Sequence, residues 1–218
     1  MLLKIVGLLF LSYLIGAIPF GWMIVRIITG EDVRTIQSGR TGGTNAMRAG
    51  GIWAGLGTAI FDILKSATTV WLAQYWYPDA YWIHILAPVM AIIGHNYSMF
   101  LLKRDEDGKI KFSGGAGGAA AMGGAIGLWP PSFYYFIVVG ALVFYFIGYA
   151  SITTISIALL IIIIFSIRAF IGLAPWQYII FGVIAEILLL WALRPNIKRL
   201  LNGTERLHGF RARKKGKI

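Results

Sequence analysis

The 218-residue chain contains no cysteine, and this excludes three kinds of chemistry. The protein cannot form a disulfide bond, use a thiolate nucleophile or bind a metal through cysteine. Histidine is scarce as well, and His84, His95 and His208 are far apart in the sequence. Because scattered histidines do not suggest a ligand set, we predict no metal site.

Acidic residues are also few, and the basic residues are confined to particular places. The chain has 20 Lys and Arg against 9 Asp and Glu, which gives a formal net charge of +11. These positive residues lie at the ends of apolar segments and in the C-terminal tail, as in proteins that face anionic lipid. We therefore expect membrane lipid, and not nucleic acid, as the partner of this charge.

Long apolar runs make up most of the chain. Hydrophobic residues account for 58% of it, and the mean hydropathy is +0.73. A bilayer is crossed by about 20 apolar residues in a helix. We therefore predict an all-α polytopic membrane protein, a single integral-membrane domain over residues 1–218 that includes a basic tail at 194–218. The seven predicted transmembrane helices are Leu2–Ile28, Ile52–Trp76, Tyr81–Leu102, a glycine-rich span ending near Gly127, Phe133–Tyr149, Ile152–Ile171 and Pro175–Leu193.

Several residues inside these spans are polar or disfavour a straight helix. Pro19 is expected to kink the first span, which a membrane helix tolerates. Asp62 and Lys65 are three residues apart and therefore share one face of a helix. We interpret them as a mutually neutralising structural pair, and a catalytic role is the alternative. His84 is interpreted as a histidine at the membrane interface.

Basic residues also predict the orientation of the chain in the membrane. They concentrate after the first, third and seventh spans, whereas the turns after the second, fourth and sixth spans contain few. The positive-inside rule then places the N-terminus outside and the C-terminus in the cytoplasm. Seven spans give the same parity, and they put two glycine-rich runs and the tail together on the cytoplasmic side.

The first glycine-rich run, residues 38–48 with the sequence SGRTGGTNAMR, lies in a polar loop predicted from Glu31 to Gly51. Its glycines let backbone N–H groups approach a ligand, and its hydroxyl, amide and guanidinium groups supply more donors. Such a loop suits an anion such as phosphate. It lacks the Gly-Lys-Ser/Thr of a Walker A loop. The alternative is a loop whose arginines only determine topology.

A second glycine-rich run, SGGAGG, occupies residues 113–118, and small residues continue to Gly127. Small residues predict very close packing of the fourth span against its neighbours. A second backbone cradle for a ligand is the functional alternative. The charged segment Lys103–Lys111 precedes this run, and its Asp107-Gly108 pair predicts a tight turn.

Four short motifs occur in order along most of the chain. The first run has the pattern S-G-x-x-G-x-T-N-x-x-R, and Asp62–Lys65 reads D-x-L-K. Further on, Gly94–Asn96 reads G-H-N before Phe100, and N-I-x-R-L at residues 196–200 precedes G-T-E at 203–205. Through this ordered set, the chain resembles the bacterial acyl-phosphate:glycerol-3-phosphate acyltransferase (PlsY) family.

The chain departs from the pattern of that family in the second and third motif regions. An insertion that contains Asp105 to Lys111 separates Phe100 from the glycines, and the final threonine of the second motif is replaced by Ala120. Where the family has G-G-K-G-V-A-T, residues 114–120 read GGAGGAA, so Ala116 replaces a lysine that is expected to hold phosphate. Leu193 stands where a histidine usually precedes Asn196 by three residues, and no residue in the sequence is an evident replacement. Candidates for replacing the lost positive charge are Lys103, Arg104, Lys109 and Lys111.

The resemblance implies that the protein transfers a fatty acyl group from acyl phosphate to glycerol 3-phosphate and forms lysophosphatidic acid. It implies a bacterial inner-membrane enzyme with a cytoplasm-facing active site and no metal or organic cofactor. Catalytic roles are implied for Ser38 and Arg48. The implied substrate-binding residues are Gly39, Gly42, Thr44, Asn45, His95, Asn96, Gly114, Gly115, Gly117, Asn196 and Glu205.

Two other functions remain open at this point. The chain is either a divergent relative that acylates another acceptor or a membrane protein that binds lipid without catalysis. A transporter is less favoured, because the polar residues cluster at one membrane face and not at the midplane.

The charge pattern makes a topology prediction. A reporter fused after Lys217 should be active only in a form that requires the cytoplasm, and a reporter inserted at Asp79 should report the opposite side, because the basic segments stay inside. Paired cytoplasmic and exported reporters at both sites measure this. If both sites report the same compartment, the predicted orientation and number of spans are wrong.

Overall fold

The structure is a computed structural model that describes residues 1–104, 107–208 and 210–211. The predicted insertion and tail therefore lie partly outside the described residues, namely at 105–106, 209 and 212–218. The helices are α1 (Leu2–Ala17), α2 (Phe20–Thr29), α3 (Gly43–Trp76), α4 (Tyr81–Asn96), α5 (Gly118–Leu128), α6 (Ser132–Leu142), α7 (Ala150–Phe170) and α8 (Gln177–Leu201), and the strands are β1 (Ser98–Arg104) and β2 (Ile110–Ser113).

The described chain is predominantly helical, as predicted, with one added β-hairpin. Three helical segments are long and apolar enough to cross a membrane, judged by length and composition: Leu2–Thr29, Ala150–Phe170 and Gln177–Leu201. The fourth predicted span is shorter than expected, because α5 has only 11 residues. A helix of that length is about 16 Å long, against a hydrocarbon core of about 30 Å. Gly117 lies at the N-terminus of α5 and has φ +91°. Because this left-handed conformation is not helical, α5 cannot start any earlier.

The kink predicted at Pro19 is present as a break between α1 and α2. Proline has no N–H, so the helical hydrogen-bond ladder is interrupted there. The carbonyl oxygen of Ile18 is compensated across the bundle, since the ammonium group of Lys65 donates to it at 2.9 Å. The break in the first segment is therefore tied directly to α3.

The loop predicted from Glu31 to Gly51 is wrong in its second half. Helix α3 begins at Gly43, so Arg48 lies on a helix and not on a loop. Non-helical dihedral angles at Gly50 and Gly51 then interrupt this helix, and φ of Gly51 is +81°. Because side chains with a Cβ are strained at that angle, the glycine pair forms the corner between a short polar helix and the following apolar one.

The third predicted span is too long, since α4 ends at Asn96 and the residues up to Leu102 lie in β1. β1 pairs with β2 in an antiparallel hairpin, with Lys103 opposite Lys111. A short apolar run is compatible with a strand or a helix. Here it forms a strand because it pairs with β2. The turn predicted at Asp107-Gly108 is confirmed, and φ of Gly108 is +76°.

Helix α8 continues through Pro195 to Leu201, so the first residues of the tail predicted from Arg194 are helical. The helix ends at Leu201, and the turn that follows contains Gly203 with φ +67°. The N–H of Thr204 donates to the carbonyl of Arg199 at 2.8 Å and closes this C-terminus. The extra turns place polar residues of the third motif region on a helix.

Contacts without intervening side chains join the helices closely. A Cβ added at Gly16 would overlap the backbone of Ala91 on α4, and one added at Gly94 would overlap that of Tyr13 on α1. A Cβ at Gly123 of α5 would overlap the carbonyl group of Ile63 on α3. The close packing predicted for the glycine-rich segment is therefore confirmed.

The main apolar core lies between α3, α4, α5, α6, α7 and α8, and its fully buried side chains include Phe165 and Phe181. His84 lies next to it and is buried, so its assignment to the interface is wrong. Its Nε2 is 2.7 Å from the carbonyl oxygen of Tyr77, and its Nδ1 is 3.2 Å from the hydroxyl of Tyr178. Both ring nitrogens are thus satisfied by partners that burial brings together.

The packing of α5 predicts a difference between two glycines. Gly123→Ala should lower the thermal unfolding temperature, because the added methyl group overlaps a backbone carbonyl and overpacking costs about 1–3 kcal/mol. Gly7→Ala is the matched control, because Gly7 is exposed on α1 and a Cβ there meets no atom within 4 Å. Thermal unfolding of both variants in detergent measures the effect. Equal unfolding temperatures would show that α3 and α5 are not in close contact.

Candidate active site

A cavity of about 540 Å³ lies where the N-terminal part of α3, the start of α5, the start of α7 and the end of α8 meet. Most of the predicted site residues line it, although they come from distant parts of the sequence. The predicted residues that line the cavity are Ser38, Gly42, Thr44, Asn45, Arg48, His95, Gly117, Asn196 and Glu205. The predicted residues that do not line it are Gly39, Asn96, Gly114 and Gly115.

The first glycine-rich run is shaped by the amide of Asn45. Its Nδ2 lies within 3.0 Å of the carbonyl oxygens of Val33 and Ile36 and 2.9 Å from that of Arg40. These contacts engage the amide donors inside the loop, so Asn45 organises the wall of the cavity. Gly39 has φ +66° and forms part of the turn behind this wall.

The two glycine-rich runs are in direct contact, as expected if they form one site. The N–H of Thr41 donates to the carbonyl of Gly114 at 3.2 Å. A Cβ at Gly115 would overlap the ring of His95, and one at Gly114 would overlap the backbone at Asn96. Gly114 and Gly115 are therefore required for close packing, which is the structural interpretation offered by the sequence, whereas Gly117 borders the cavity itself.

The predicted pair of Asp62 and Lys65 is formed, with Lys65 Nζ 2.7 Å from Asp62 Oδ1, and both side chains are buried. His95 joins the pair, since its Nδ1 is 3.4 Å from the same carboxylate oxygen. Asp62 and His95 also line the cavity. A buried carboxylate needs such partners to remain charged, so Lys65 and His95 stabilise Asp62 at the wall of the cavity.

Arginine is the dominant charged residue around the cavity. Among the described residues that line it, the cations of this type are Arg40, Arg48, Arg199 and Arg206, and the carboxylates are Asp62 and Glu205. Since Asp62 is already paired with Lys65, the positive charge exceeds the negative. An anion bound here would relieve the repulsion between the guanidinium groups and accept several of their hydrogen bonds.

Arg40 and Arg48 differ in the partners they use. The guanidinium group of Arg40 donates to the backbone carbonyls of Gly115 and Ala192, which lie on two different segments. Burial, followed by the positive charge of Arg199, lowers the pKa of Arg40 from its usual value. Arg48 has a side-chain partner instead, with its Nη2 2.7 Å from Nε2 of His208. Arg40 therefore holds two segments together, whereas within the described part of the chain only one donor of Arg48 has a hydrogen-bond partner.

Glu205 is held by two side chains at the edge of the cavity. Its Oε1 accepts a hydrogen bond from Nδ2 of Asn196 at 3.0 Å, and its Oε2 accepts one from Oγ of Ser151 at 2.6 Å. Ser151 was expected in a turn, but α7 already begins at Ala150. The residues after α8 are thereby fastened to the start of α7.

Several residues around the cavity were not predicted from the sequence. Arg199 had a signal, because it is the arginine of the N-I-x-R-L motif. Ser151 and Thr154 are three residues apart at the start of α7, which no motif marks. His208 had no signal, since it stands alone in the tail. Ala116 and Leu193 line the cavity at the two positions where the chain departs from the family pattern.

Sequence comparison covers nearly the whole chain. Residues 6–203 match the profile of a family described as glycerol-3-phosphate acyltransferase. Glycerol-3-phosphate acyltransferase 2 of Moorella thermoacetica is 36% identical over 207 residues, which cover 94% of this chain and 97% of its own. Glycerol-3-phosphate acyltransferase of Syntrophomonas wolfei is 30% identical over 199 residues, which cover 91% of this chain and 94% of its own.

Two crystal structures have a similar fold. Both are of PlsY, an integral membrane glycerol 3-phosphate acyltransferase, one in a glycerol 3-phosphate form and one in a lysophosphatidic acid form. The first has a TM-score of 0.79 at 27% identity and the second 0.77 at 26%, and each match covers 94% of this chain and 96% of that one. On this sequence and structural similarity, the chain belongs to the glycerol-3-phosphate acyltransferase family.

Proposed function

We propose that the protein transfers a fatty acyl group from acyl phosphate to the primary hydroxyl of glycerol 3-phosphate, with lysophosphatidic acid and inorganic phosphate as products. The observation that carries this proposal is the cavity in which four arginines and both glycine-rich runs meet. Both substrates carry a phosphate group, and the cavity offers more positive charge than one phosphate neutralises. Membership of the glycerol-3-phosphate acyltransferase family supports the acceptor and the product.

The arginines supply the positive charge that Ala116 does not. We assign the phosphate of the acceptor to Arg48, Arg199 and Arg206, which border the same cavity as Ala116. Ser38 and the backbone N–H groups of the first run are assigned to the acyl phosphate. Guanidinium groups bind phosphate in a bidentate manner, so several arginines are an adequate replacement for a point-like ammonium group.

The reaction needs little covalent chemistry from the protein, because acyl phosphate is already an activated mixed anhydride. The hydroxyl oxygen of the acceptor forms a bond to the acyl carbon, and the bond from that carbon to the phosphate oxygen breaks. The hydroxyl proton ends on the departing phosphate. Holding the two substrates together and stabilising the negative charge on the oxygens are then the main contributions of the site.

The acyl chain is assigned to the apolar side of the cavity. Met47, Gly55 and Ala59 of α3 line the cavity together with Leu193 of α8. These side chains offer no hydrogen bonds and lie toward the membrane-spanning part of α3. An acyl chain that enters here stays in apolar surroundings while its phosphate group reaches the arginines.

A different acceptor is the second candidate function. The apolar residues Ala116 and Leu193 line the cavity where the resemblance predicts lysine and histidine. An acceptor that lacks phosphate would fit such a wall better than glycerol 3-phosphate. The arginines favour the phosphorylated acceptor, because an uncharged ligand would leave their repulsion uncompensated.

We further propose seven transmembrane spans in a bacterial inner membrane, with the N-terminus outside and the active site and C-terminus facing the cytoplasm. Arg48 follows the first span and His208 follows the last span. The contact between them supports placing the first polar loop and the C-terminal segment on the same side of the membrane. The basic segments support the cytoplasm as that side.

The different contacts of Arg48 and Arg40 lead to a testable prediction. Arg48→Ala should raise the KM for glycerol 3-phosphate about ten- to a hundredfold, because a lost charge-assisted hydrogen bond costs about 1.5–3 kcal/mol. Arg40→Ala should affect KM less and should lower the unfolding temperature more, because it leaves two backbone carbonyls without their donor. Steady-state kinetics and thermal unfolding of both variants test this. Equal and mild effects on both measurements would mean that the two arginines serve topology alone.

The function itself is tested with purified protein, palmitoyl phosphate and a panel of acceptors that includes glycerol 3-phosphate and glycerol. Wild-type protein should form lysophosphatidic acid. Ala116→Lys should leave the KM for glycerol 3-phosphate unchanged or lower it by up to about tenfold, because a cation is added beside the phosphate. Product is measured across a glycerol 3-phosphate titration.

The other outcomes of this assay identify the competing functions. If Ala116→Lys impairs acylation of an acceptor without phosphate, the natural acceptor is uncharged, since the new charge would be buried without a partner. If neither protein forms a product and acyl phosphate remains intact, the protein is not an acyltransferase and the lipid-binding function is favoured.

A further inference from the structure

The folded-back segment, residues 202–208, follows α8 and turns back over the cavity. Gly203 turns the backbone in a left-handed conformation, and the N–H groups of Thr204 and Glu205 both donate to the carbonyl of Arg199. The segment is then fixed at its far end, where the N–H of His208 donates to the carbonyl of Gly148 at 2.7 Å. This backbone contact holds the segment whatever side chain residue 208 carries.

The side chain of His208 points into the candidate active site. Its ring lines the cavity and stacks on Phe144, with ring centroids 5.2 Å apart and an interplanar angle of 25°. Its Nε2 is 2.7 Å from Nη2 of Arg48. Arginine nitrogens are donors only, so Nε2 must be the acceptor and the imidazole must be neutral, with its proton on Nδ1.

The surroundings keep this imidazole neutral near pH 7. Burial lowers the pKa of His208, the positive charges of Arg48 and Arg206 lower it further, and Glu205 acts in the opposite direction. These groups come from α3 and from the folded-back segment itself. The neutral form is therefore the one that contacts Arg48 under ordinary conditions.

We propose that His208 is a positioning residue that directs Arg48 toward the phosphate of the acceptor. This inference rests on the proposed function and adds a residue beyond the region 6–203 that matches the family. One nitrogen of the guanidinium group is fixed by His208, and the remaining donors of its planar fork stay available for phosphate. Without His208, the charge of Arg206 would push Arg48 away from this orientation, because the guanidinium group of Arg48 has no other hydrogen-bond partner among the described residues.

Two variants separate the hydrogen bond from ring packing. His208→Gln keeps an acceptor that can reach Arg48, whereas His208→Phe keeps a ring that can stack on Phe144 and has no acceptor. We expect the KM for glycerol 3-phosphate to stay within about threefold of wild type in His208→Gln and to rise about five- to twentyfold in His208→Phe, as for the loss of one hydrogen bond. Kcat should change less than KM in both variants.

Arg211→Ala is the matched control, because Arg211 lies just after the folded-back segment. Its guanidinium group contacts the carbonyl of Ile147 and lies over the ring of Tyr149, outside the cavity. The KM for glycerol 3-phosphate should be unchanged in this variant. If His208→Phe behaves as wild type and His208→Gln is impaired, the role of His208 is packing and the proposal is overturned.

The pH dependence provides a readout that a packing role would not affect. As pH falls through the lowered pKa of His208, Nε2 becomes protonated, stops accepting from Arg48 and repels it. The ratio of the KM of wild type to that of His208→Gln should therefore rise toward low pH. This ratio cancels the titration of the substrate phosphate, which both proteins share. NMR titration of the His208 ring in wild type locates the pH range in which Nε2 becomes protonated. A ratio that stays flat or falls as pH is lowered through that range would contradict the proposal.

The same series separates failure of this inference from failure of the proposed function. If wild type forms no lysophosphatidic acid, the proposed reaction is wrong, and glycerol 3-phosphate binding measured by calorimetry then tests His208 directly. Tighter binding by wild type and His208→Gln than by His208→Phe supports the positioning role. Equal binding by all three proteins, or no binding by wild type, overturns it.

Discussion

Direct backbone contact between helices is the constraint on which the rest of the structure depends. Gly16, Gly94 and Gly123 leave no room for a side chain between α1 and α4 or between α3 and α5. In a membrane, where lipid competes equally for apolar side chains, such close approach is a main source of helix association. This close approach also brings the C-terminal end of α4 and the N-terminal end of α5 against the loop before α3. The two glycine-rich runs therefore meet through Thr41 and Gly114.

The charged side chains at the resulting cavity form two groups. In the first, Asp62 is paired with Lys65 and lies close to His95, so this group carries no strong excess of charge. In the second, the arginines outnumber the single carboxylate Glu205, which Asn196 and Ser151 already engage. The positive potential of the cavity therefore comes from the second group.

The sequence predicted the helical class, the kink at Pro19 and the ion pair, because each rests on local spacing or composition. Most of the predicted site residues, by contrast, followed from the resemblance to a family, and most of those line the cavity. The sequence failed where a distant partner decides. Residues up to Leu102 form a strand because β2 pairs with them, and His84 is buried because Tyr178 lies opposite. The position of His208 depends on Gly148 and Arg48, and no short-range pattern encodes either contact.

The order in which the chain is synthesised determines when the cavity is complete. One wall of the cavity is formed by residues that are synthesised well after the first glycine-rich run, namely Asn196, Arg199, Glu205, Arg206 and His208. The first glycine-rich run leaves the ribosome far earlier and faces an open groove until that wall arrives. A chain that ends after α7 would keep Arg40 and Arg48 but lack Arg199 and Arg206, so its cavity would be open on that side.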